Sequence, residues 1–413
     1  VCSNVFIAGR DPEEVLRVDV QAPGHWLLKY ILVDVDREAK TASASLLGLF
    51  GRMTAVARDG LGCTSVADGN LDAVAKISSP PMSSVGDTAW PEGNTVQPSQ
   101  DPAITAILDD VSLTGPGMRA VVVVHGGRII GERYGDGFSA ETPLLGWSMT
   151  KTVNAAIIGT VVKAGKMNMD AKGLSEAWKA DRRAAIRIAD LMAMSSGLEF
   201  NEDYGDVTDV TRMLYLESDM AAFTAAKPLT GEIGKTFNYS SGTATFLSRL
   251  WQDAIGTDAI AWPSKALFQP VGMASAVLET DEHGTFVGSS YLYATARDWA
   301  RFGQFLLQEG VWKGIEILPA GFVAMMHEEA PASKGAYTKG QAWLAGPGNE
   351  DDPAADDGFG VPADTWWLEG HDGQTVAIVP SRQLVVVRMG LTPSRLNYRP
   401  QAMLGALAKQ IAD

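Results

Sequence analysis

Histidine and cysteine are scarce in this chain. Its 413 residues hold 5 His and 2 Cys, and His25, His125, His283 and His327 are scattered with no H-x-x-x-H or C-x-x-C spacing. The ligand sets of familiar zinc sites are therefore missing, and neither a metal nor an organic cofactor is expected. No run of about 18 consecutive apolar residues occurs, so no membrane-spanning helix is expected within these residues. Positive charge is also short: 34 Lys and Arg against 49 Asp and Glu leave a formal net charge of −15. Nucleic acid selects basic surfaces and anionic lipid selects polybasic clusters, so composition points to neither. Internal repeats, low-complexity tracts and a G-x-S-x-G elbow are absent too, and no signal sets an oligomeric state. What remains is a chain long and apolar enough for one sizeable catalytic unit with accessory parts, or for two domains.

The two cysteines are Cys2 and Cys63. An isolated pair with one member at a chain end suggests a disulfide, worth up to roughly 4 kcal/mol for a loop of about 60 residues. The alternative is two unrelated buried thiols. The disulfide is preferred, and it implies an extracytoplasmic, periplasmic address. The chain starts at Val1 without Met, so a removed N-terminal segment, and anchoring through it, is a further expectation.

Residues 1–100 read as an N-terminal extension with a linker. Leu28 to Asp36 and Thr41 to Leu49 look like two strands around Asp36-Arg37-Glu38, and 64–103, with Pro80-Pro81 and Pro91, looks like an irregular linker. Residues 101–413 read as the catalytic domain. Arg119 to His125 and Arg128 to Tyr134 form a hairpin about Gly126-Gly127. Helical patterns dominate an α lobe at about 170–310: Ile186 to Met194, Val207 to Leu216 and Leu292 to Gln308. Strands return at Asp364 to Leu368, Thr375 to Val379 and Leu384 to Met389, before a helix from Gln401 to Ile411. The expected class is α+β: an antiparallel sheet completed by both ends of the domain, flanked by helices, plus the inserted α lobe.

Three short stretches carry chemistry. Ser148-Met149-Thr150-Lys151 places a hydroxyl and an amine three residues apart, on one face of a helix. A serine becomes nucleophilic when a neighbour takes its proton, and a lysine can do so if burial favours its neutral form. The plain alternative is a helix-capping serine with a surface lysine. The small and apolar residues that follow, from Val153 to Val162, suit a buried helix and favour the catalytic reading. In Asn238-Tyr239-Ser240-Ser241-Gly242, a phenol drawn toward phenolate by the ammonium could shuttle a proton, with Ser241 extending the network; alone it reads as a turn. In Glu369-Gly370-His371-Asp372-Gly373-Gln374, Gly373 would admit an acyl group close to the backbone, and the Gln374 and Ser148 amides could form an oxyanion hole. A Ser-His-Asp triad through His371 and Asp372 is disfavoured, because adjacent strand residues point to opposite faces; His371 is expected to line the cleft. Trp366-Trp367 is expected to pack in the core.

Taken in this order, Ser148-x-x-Lys151, Tyr239-Ser240-Ser241 and His371-Asp372-Gly373 resemble the motifs of the serine β-lactamase and penicillin-binding-protein superfamily. The likeness extends over about 100–413 and is strongest to its class C-like branch, which includes family VIII carboxylesterases and 6-aminohexanoate-dimer hydrolases. The resemblance implies Ser148 as nucleophile with Lys151 and Tyr239 as its proton-transfer partners. β-Lactamases of this branch have Asn where Ser241 stands and Lys where His371 stands, so a cation that would meet a β-lactam carboxylate is lost. Small-molecule esters or linear amides are therefore the expected substrates, cleaved through an acyl-enzyme. The alternatives are a β-lactamase or D-alanyl peptidase, and a sensor that is acylated without turnover. Resemblance to the 6-aminohexanoate-dimer hydrolases also raises Tyr204 as a substrate contact. Glu202, Asp203 and Asp206 beside it read as solvated surface, with attraction of a substrate amine as the alternative.

Overall fold

The computed structural model describes residues 1–79, 82–97 and 99–411. Pro80-Pro81 of the expected linker lie outside the described residues.

The central sheet is built from β-branched runs. Met118–His125 (β5) and Arg128–Tyr134 (β6) pair about Gly126 and Gly127, both at positive φ, as a two-residue hairpin turn demands. Trp366–Gly370 (β7), Gln374–Val379 (β8) and Leu384–Gly390 (β9) complete an antiparallel sheet of order β7-β8-β9-β5-β6. The sheet is buried on both faces, so the runs Ala120 to Val124, Val376 to Val379 and Leu384 to Val387 are continuously apolar rather than alternating. Val122 and Val124 enter the main core with the helix Ala296–Leu307, while Val121 and Val123 enter a second core with the helices Pro102–Asp109 and Pro400–Gln410. Trp366 and Trp367 follow the same alternation and divide between these two cores.

The helix Met149–Lys163 (α2, counting the N-terminal Cys2–Phe6 as α1) is buried at every position from Met149 to Val161. Its burial all round matches its lack of a polar face. The α lobe is more broken than its sequence pattern suggests. Its helices run Ile188–Met192, Asp209–Leu216, Met220–Ala225 and Ser241–Ile255 (α3), joined by turns. The helix expected from Leu292 starts only at Ala296, because Thr295 is its N-cap and accepts from Asp298 N at 3.3 Å. Leu292–Ala294 is instead a strand, pairing with Leu144–Leu145 and Val277–Leu278.

The extension carries four strands rather than two: Ile31–Asp36 (β1), Thr41–Leu46 (β2), Phe50–Arg58 (β3) and Gly62–Val66 (β4), in order β1-β2-β3-β4. The Asp59-Gly60 turn between β3 and β4 is the overlooked hairpin signal. The expected linker loses its first residues to β4 and holds a short helix at Leu71–Ala75. A Cys2–Cys63 disulfide ties α1 to β4. Ser3 Oγ and Cys63 N both donate to Glu279 Oε1, at 2.7 and 2.6 Å, and Arg58 Nη1 donates to Thr280 Oγ1 at 2.9 Å. These bonds fasten the extension to the segment that follows Val277–Leu278.

Candidate active site

Ser148 occupies the N-cap of α2, and its side chain makes no capping bond. Its N–H has no backbone partner among the described residues. The preceding Trp147 takes φ 48°, a left-handed conformation that a bulky residue adopts only when its surroundings impose it. Its indole is packed edge-on between His371, at 5.6 Å, and Tyr291, at 6.3 Å. The tight turn into α2 thus leaves the Ser148 hydroxyl uncommitted to the helix.

One turn along, Lys151 is fully buried. Its Nζ donates to Ser148 Oγ at 2.9 Å, Ser241 Oγ at 3.0 Å and the Ser289 carbonyl at 3.1 Å. Burial pulls its pKa down from 10.5 to about 8, against the opposing pull of Glu202. Ser241 opens α3 and turns its hydroxyl and its N–H to the Glu202 carboxylate, the N–H bond at 2.7 Å. Ser148, Lys151, Ser241 and Glu202 therefore form one continuous hydrogen-bonded chain.

Glu202 is the residue that its sequence context concealed. It is not freely solvated surface: it is half-buried, and desolvation raises its pKa while Lys151 and the two Ser241 donors lower it. Its two oxygens accept from the Ser241 N–H and hydroxyl, and those bonds with the nearby amine favour its charged form against the desolvation.

Tyr239 lies in the same pocket with its hydroxyl at Ser148. The expected phenolate is not what the environment favours. Burial, with Tyr337 and Glu202 adding to it, holds the phenol well above its ordinary pKa, so the ring stays neutral. Lys151 Nζ sits over the face of the ring, 4.7 Å from its centroid. Tyr337 and Trp343 pack around Tyr239 at 5.6 and 5.3 Å.

The third expected stretch forms the turn between β7 and β8. His371 is exposed and stacks on Tyr204 at 4.8 Å, with Trp147 at its other side. Both His371 and Tyr204 therefore flank the nucleophile's turn. Asp372 stands in a turn at φ 57°, not in a strand, so its carboxylate comes within 3.6 Å of His371 Nε2 despite the alternation argument. Lys151, not His371, is the base bonded to Ser148. Gly373 takes φ 84°, and a Cβ there would come within 2.9 Å of Arg388 Nη1. Gly370 abuts the nucleophile's turn: a Cβ there would lie 2.2 Å from the Gly146 carbonyl. Gln374 pairs with Gly370 across the hairpin, and its side-chain amide donates to the His371 carbonyl at 3.0 Å and the Gly390 carbonyl at 2.6 Å, fixing the turn.

Among the described residues no group of three or more His, Cys, Asp or Glu could hold a metal ion, and no helix is long and apolar enough to cross a membrane.

Known proteins share this frame. The 6-aminohexanoate-dimer hydrolase of Paenarthrobacter ureafaciens is 23% identical over 290 residues, 63% of this chain and 72% of its own. A candidate 6-aminohexanoate-dimer hydrolase from Bacillus anthracis superposes with a TM-score of 0.59 at 21% identity, over 87% of this chain and 90% of that one. A family VIII carboxylesterase superposes with a TM-score of 0.58 at 14% identity, over 77% and 99%. The Beta-lactamase family model matches residues 112–402, which span both motifs on α2 and α3 and the β7–β8 turn, and the chain belongs to that family.

Proposed function

We propose that the protein is a serine hydrolase that cleaves carboxylic esters or linear amides through an acyl-enzyme on Ser148. The observation that carries this reading is the state of Lys151: buried, lowered in pKa and bonded to the serine. A neutral amine has two N–H groups and one lone pair. Ser241 Oγ and the Ser289 carbonyl take the two N–H groups, which leaves the lone pair for the Ser148 proton.

Ser148 Oγ attacks the substrate carbonyl carbon and its proton passes to Lys151. The oxyanion that forms meets the Ser148 N–H, with the Gln374 N–H as the second donor. When the tetrahedral intermediate collapses, the leaving alkoxide or amine takes a proton from Lys151 by way of the neutral Tyr239 hydroxyl. Water, deprotonated by Lys151, then attacks the acyl carbon, and as the bond to Ser148 Oγ breaks Lys151 returns that proton to the serine oxygen. His371 and Tyr204 provide an aromatic wall with no fixed cation, which suits an uncharged acyl or leaving group, and the name of the Paenarthrobacter relative points to a linear amide. The Cys2–Cys63 disulfide supports an extracytoplasmic, periplasmic setting.

The deciding experiment is a panel of p-nitrophenyl esters, linear amides and nitrocefin, run on the wild type and Ser148→Ala. Turnover of esters or amides, lost with Ser148→Ala together with fluorophosphonate labelling, is the expected result. Nitrocefin turnover with inert esters and amides would assign a β-lactamase or D-alanyl peptidase instead. An adduct that forms and never turns over would assign a sensor.

A further inference from the structure

Among the described residues, seven of the fifteen large hydrophobic side chains exposed to solvent fall between residues 26 and 50. They are Trp26, Leu27, Tyr30, Leu32, Leu47, Leu49 and Phe50. The structure brings them to one end of the β1–β4 sheet. Leu47 N donates to the Tyr30 carbonyl at 2.9 Å, Ile31 pairs with Leu46, and Leu46 pairs with Phe50. A Cβ on Gly48 would touch Leu32 at 3.4 Å. Trp26 and Tyr30 stand edge to face at 6.3 Å on the same side. At the tip Leu49 is 81% exposed and Phe50 61%. Leu47 takes φ 55°, a conformation that disfavours a bulky side chain, yet it too faces solvent. A contiguous apolar patch of this kind marks an interaction site rather than ordinary surface.

Charge at this end runs against the rest of the chain. The whole sequence carries 49 Asp and Glu in 413 residues, yet residues 20–33 and 44–57 contain none. Their only Lys or Arg residues are Lys29 and Arg52, both exposed. The acidic residues of this hairpin are Asp34, midway along β1, Asp36 at its far end and Glu38 in the turn that follows.

We infer that this tip is a lipid-facing anchor: Leu47, Leu49 and Phe50 enter the acyl boundary of a bilayer, Trp26 and Tyr30 sit at headgroup level, and Lys29 and Arg52 meet anionic headgroups. Tryptophan and tyrosine favour that level because their rings are apolar with one polar atom. Two cations cannot hold an acidic protein on lipid by charge alone, so the apolar insertion supplies the binding and the cations orient it. Screening within about 8 Å at physiological salt weakens the action of Asp36 and Glu38 on the membrane, while Asp34, two residues from Leu32 on the same face of β1, limits how far that strand enters. The competing occupant is a second copy of the chain joined through edge strand β1. Geometry opposes it. A twofold contact through β1 pairs that strand antiparallel with its copy, which leaves the two apolar tips at opposite ends of the joint sheet and still exposed, with Leu49 and Phe50 two strands away from the contact.

The test is flotation of the full chain with phosphatidylcholine vesicles containing about a third phosphatidylglycerol, with light scattering in parallel. Wild type is expected to float as a monomer. Leu49→Asp with Phe50→Asp is expected to lose about tenfold or more in partitioning, with an unchanged thermal midpoint as the check on folding. Lys29→Glu with Arg52→Glu is expected to lose the preference for phosphatidylglycerol over phosphatidylcholine alone. Wild type that stays with the buffer, or a Leu49→Asp, Phe50→Asp variant that floats like wild type, overturns the assignment. A wild-type dimer that the same variant converts to monomer gives the face to a second copy and overturns it too.

Discussion

Glu202 reaches Lys151 through a single hydroxyl, that of Ser241, which accepts from Lys151 Nζ at 3.0 Å and donates to the carboxylate. The catalytic amine is therefore set by two opposed influences. Burial favours its neutral form, and the relayed negative charge favours its protonated form. Were burial alone at work, the amine would be a weaker base and would take the Ser148 proton less readily.

This balance fixes a pH dependence. Lys151 must be neutral to accept the Ser148 proton and is lowered to about 8, so kcat/KM should rise with pH and level off above about 8. Replacing Glu202 by Gln removes the charge that raises the Lys151 pKa. The rising limb should then move to lower pH by about one unit, and the plateau should fall about tenfold as the two Ser241 bonds are weakened. A pH–rate profile of wild type and Glu202→Gln on one p-nitrophenyl ester checks both. A drop in rate with no movement of the limb would reduce Glu202 to a packing role.

Gly370 is required by contact rather than by backbone conformation. A Cβ there would stand 2.2 Å from the Gly146 carbonyl, and that contact is backbone, with no flexible end to yield. Gly370→Ala should push the Gly146–Ser148 turn away from β7, lowering kcat by about a hundredfold, as misplacement of a nucleophile by about an ångström does. KM should change little. Gly373→Ala, strained by its φ of 84° and lodged against Arg388, should act on stability first. Thermal midpoints and kcat measured side by side separate the two.

What the sequence made legible follows from how each signal is carried. Ser148 and Lys151 lie within one helical turn, so their spacing is their geometry. The valine run of β5, with Gly126-Gly127 after it, reads as a strand and turn because both signals are local. The long-range part was harder. Tyr239 and Ser241 gained meaning only beside Ser148 through family resemblance, and Glu202 sat in an acidic stretch that looks solvated. It is drawn inward because the N-terminus of α3 turns two donors toward it, which no local pattern records. Gly373 is ambiguous in the same way. A glycine in a motif signals that something is close, but not whether that neighbour is substrate or Arg388.

His371 offers a test of specificity. It is exposed, stacked on Tyr204, and stands where the family's β-lactamases have Lys. His371→Lys would place a fixed cation at the edge of the cleft. Substrates that carry a carboxylate next to the scissile bond, nitrocefin among them, should then acylate Ser148 several-fold faster, an effect of about 1 kcal/mol for an exposed charge contact. Neutral esters should lose affinity as the stacking with Tyr204 is broken. Acylation rates followed by mass spectrometry on both substrate classes give the ratio. No change in that ratio would place His371 outside the substrate's reach.

Removing the disulfide should loosen the extension and leave the central sheet intact. Cys2 and Cys63 are 61 residues apart, so Cys63→Ser should cost about 4 kcal/mol of the extension's stability in the chain-entropy model. The N-terminal helix should become sensitive to protease while residues beyond 100 stay resistant.

The same junction holds Glu279, and its protonation gives a second, independent handle. Burial raises its pKa from 4.5 to about 7, although Cys63 N, Ser3 and Arg58 oppose the rise. Between these two values the folded protein binds a proton that the unfolded chain releases. Stability should therefore fall as pH rises through this window, by up to about 3 kcal/mol for this fully buried group, with the penalty absent below about 4.5 and complete above about 7. Asp281, raised to about 6 by burial, acts in the same direction over a lower window. Glu279→Gln keeps the oxygen that accepts from both Ser3 and Cys63 and removes the titration. Its thermal midpoint should match that of wild type near pH 5 and exceed it at pH 8. Equal midpoints at both pH values would mean that Glu279 is not protonated in the folded protein, and that the extension is held by the disulfide and the Arg58–Thr280 contact without help from a neutral carboxyl.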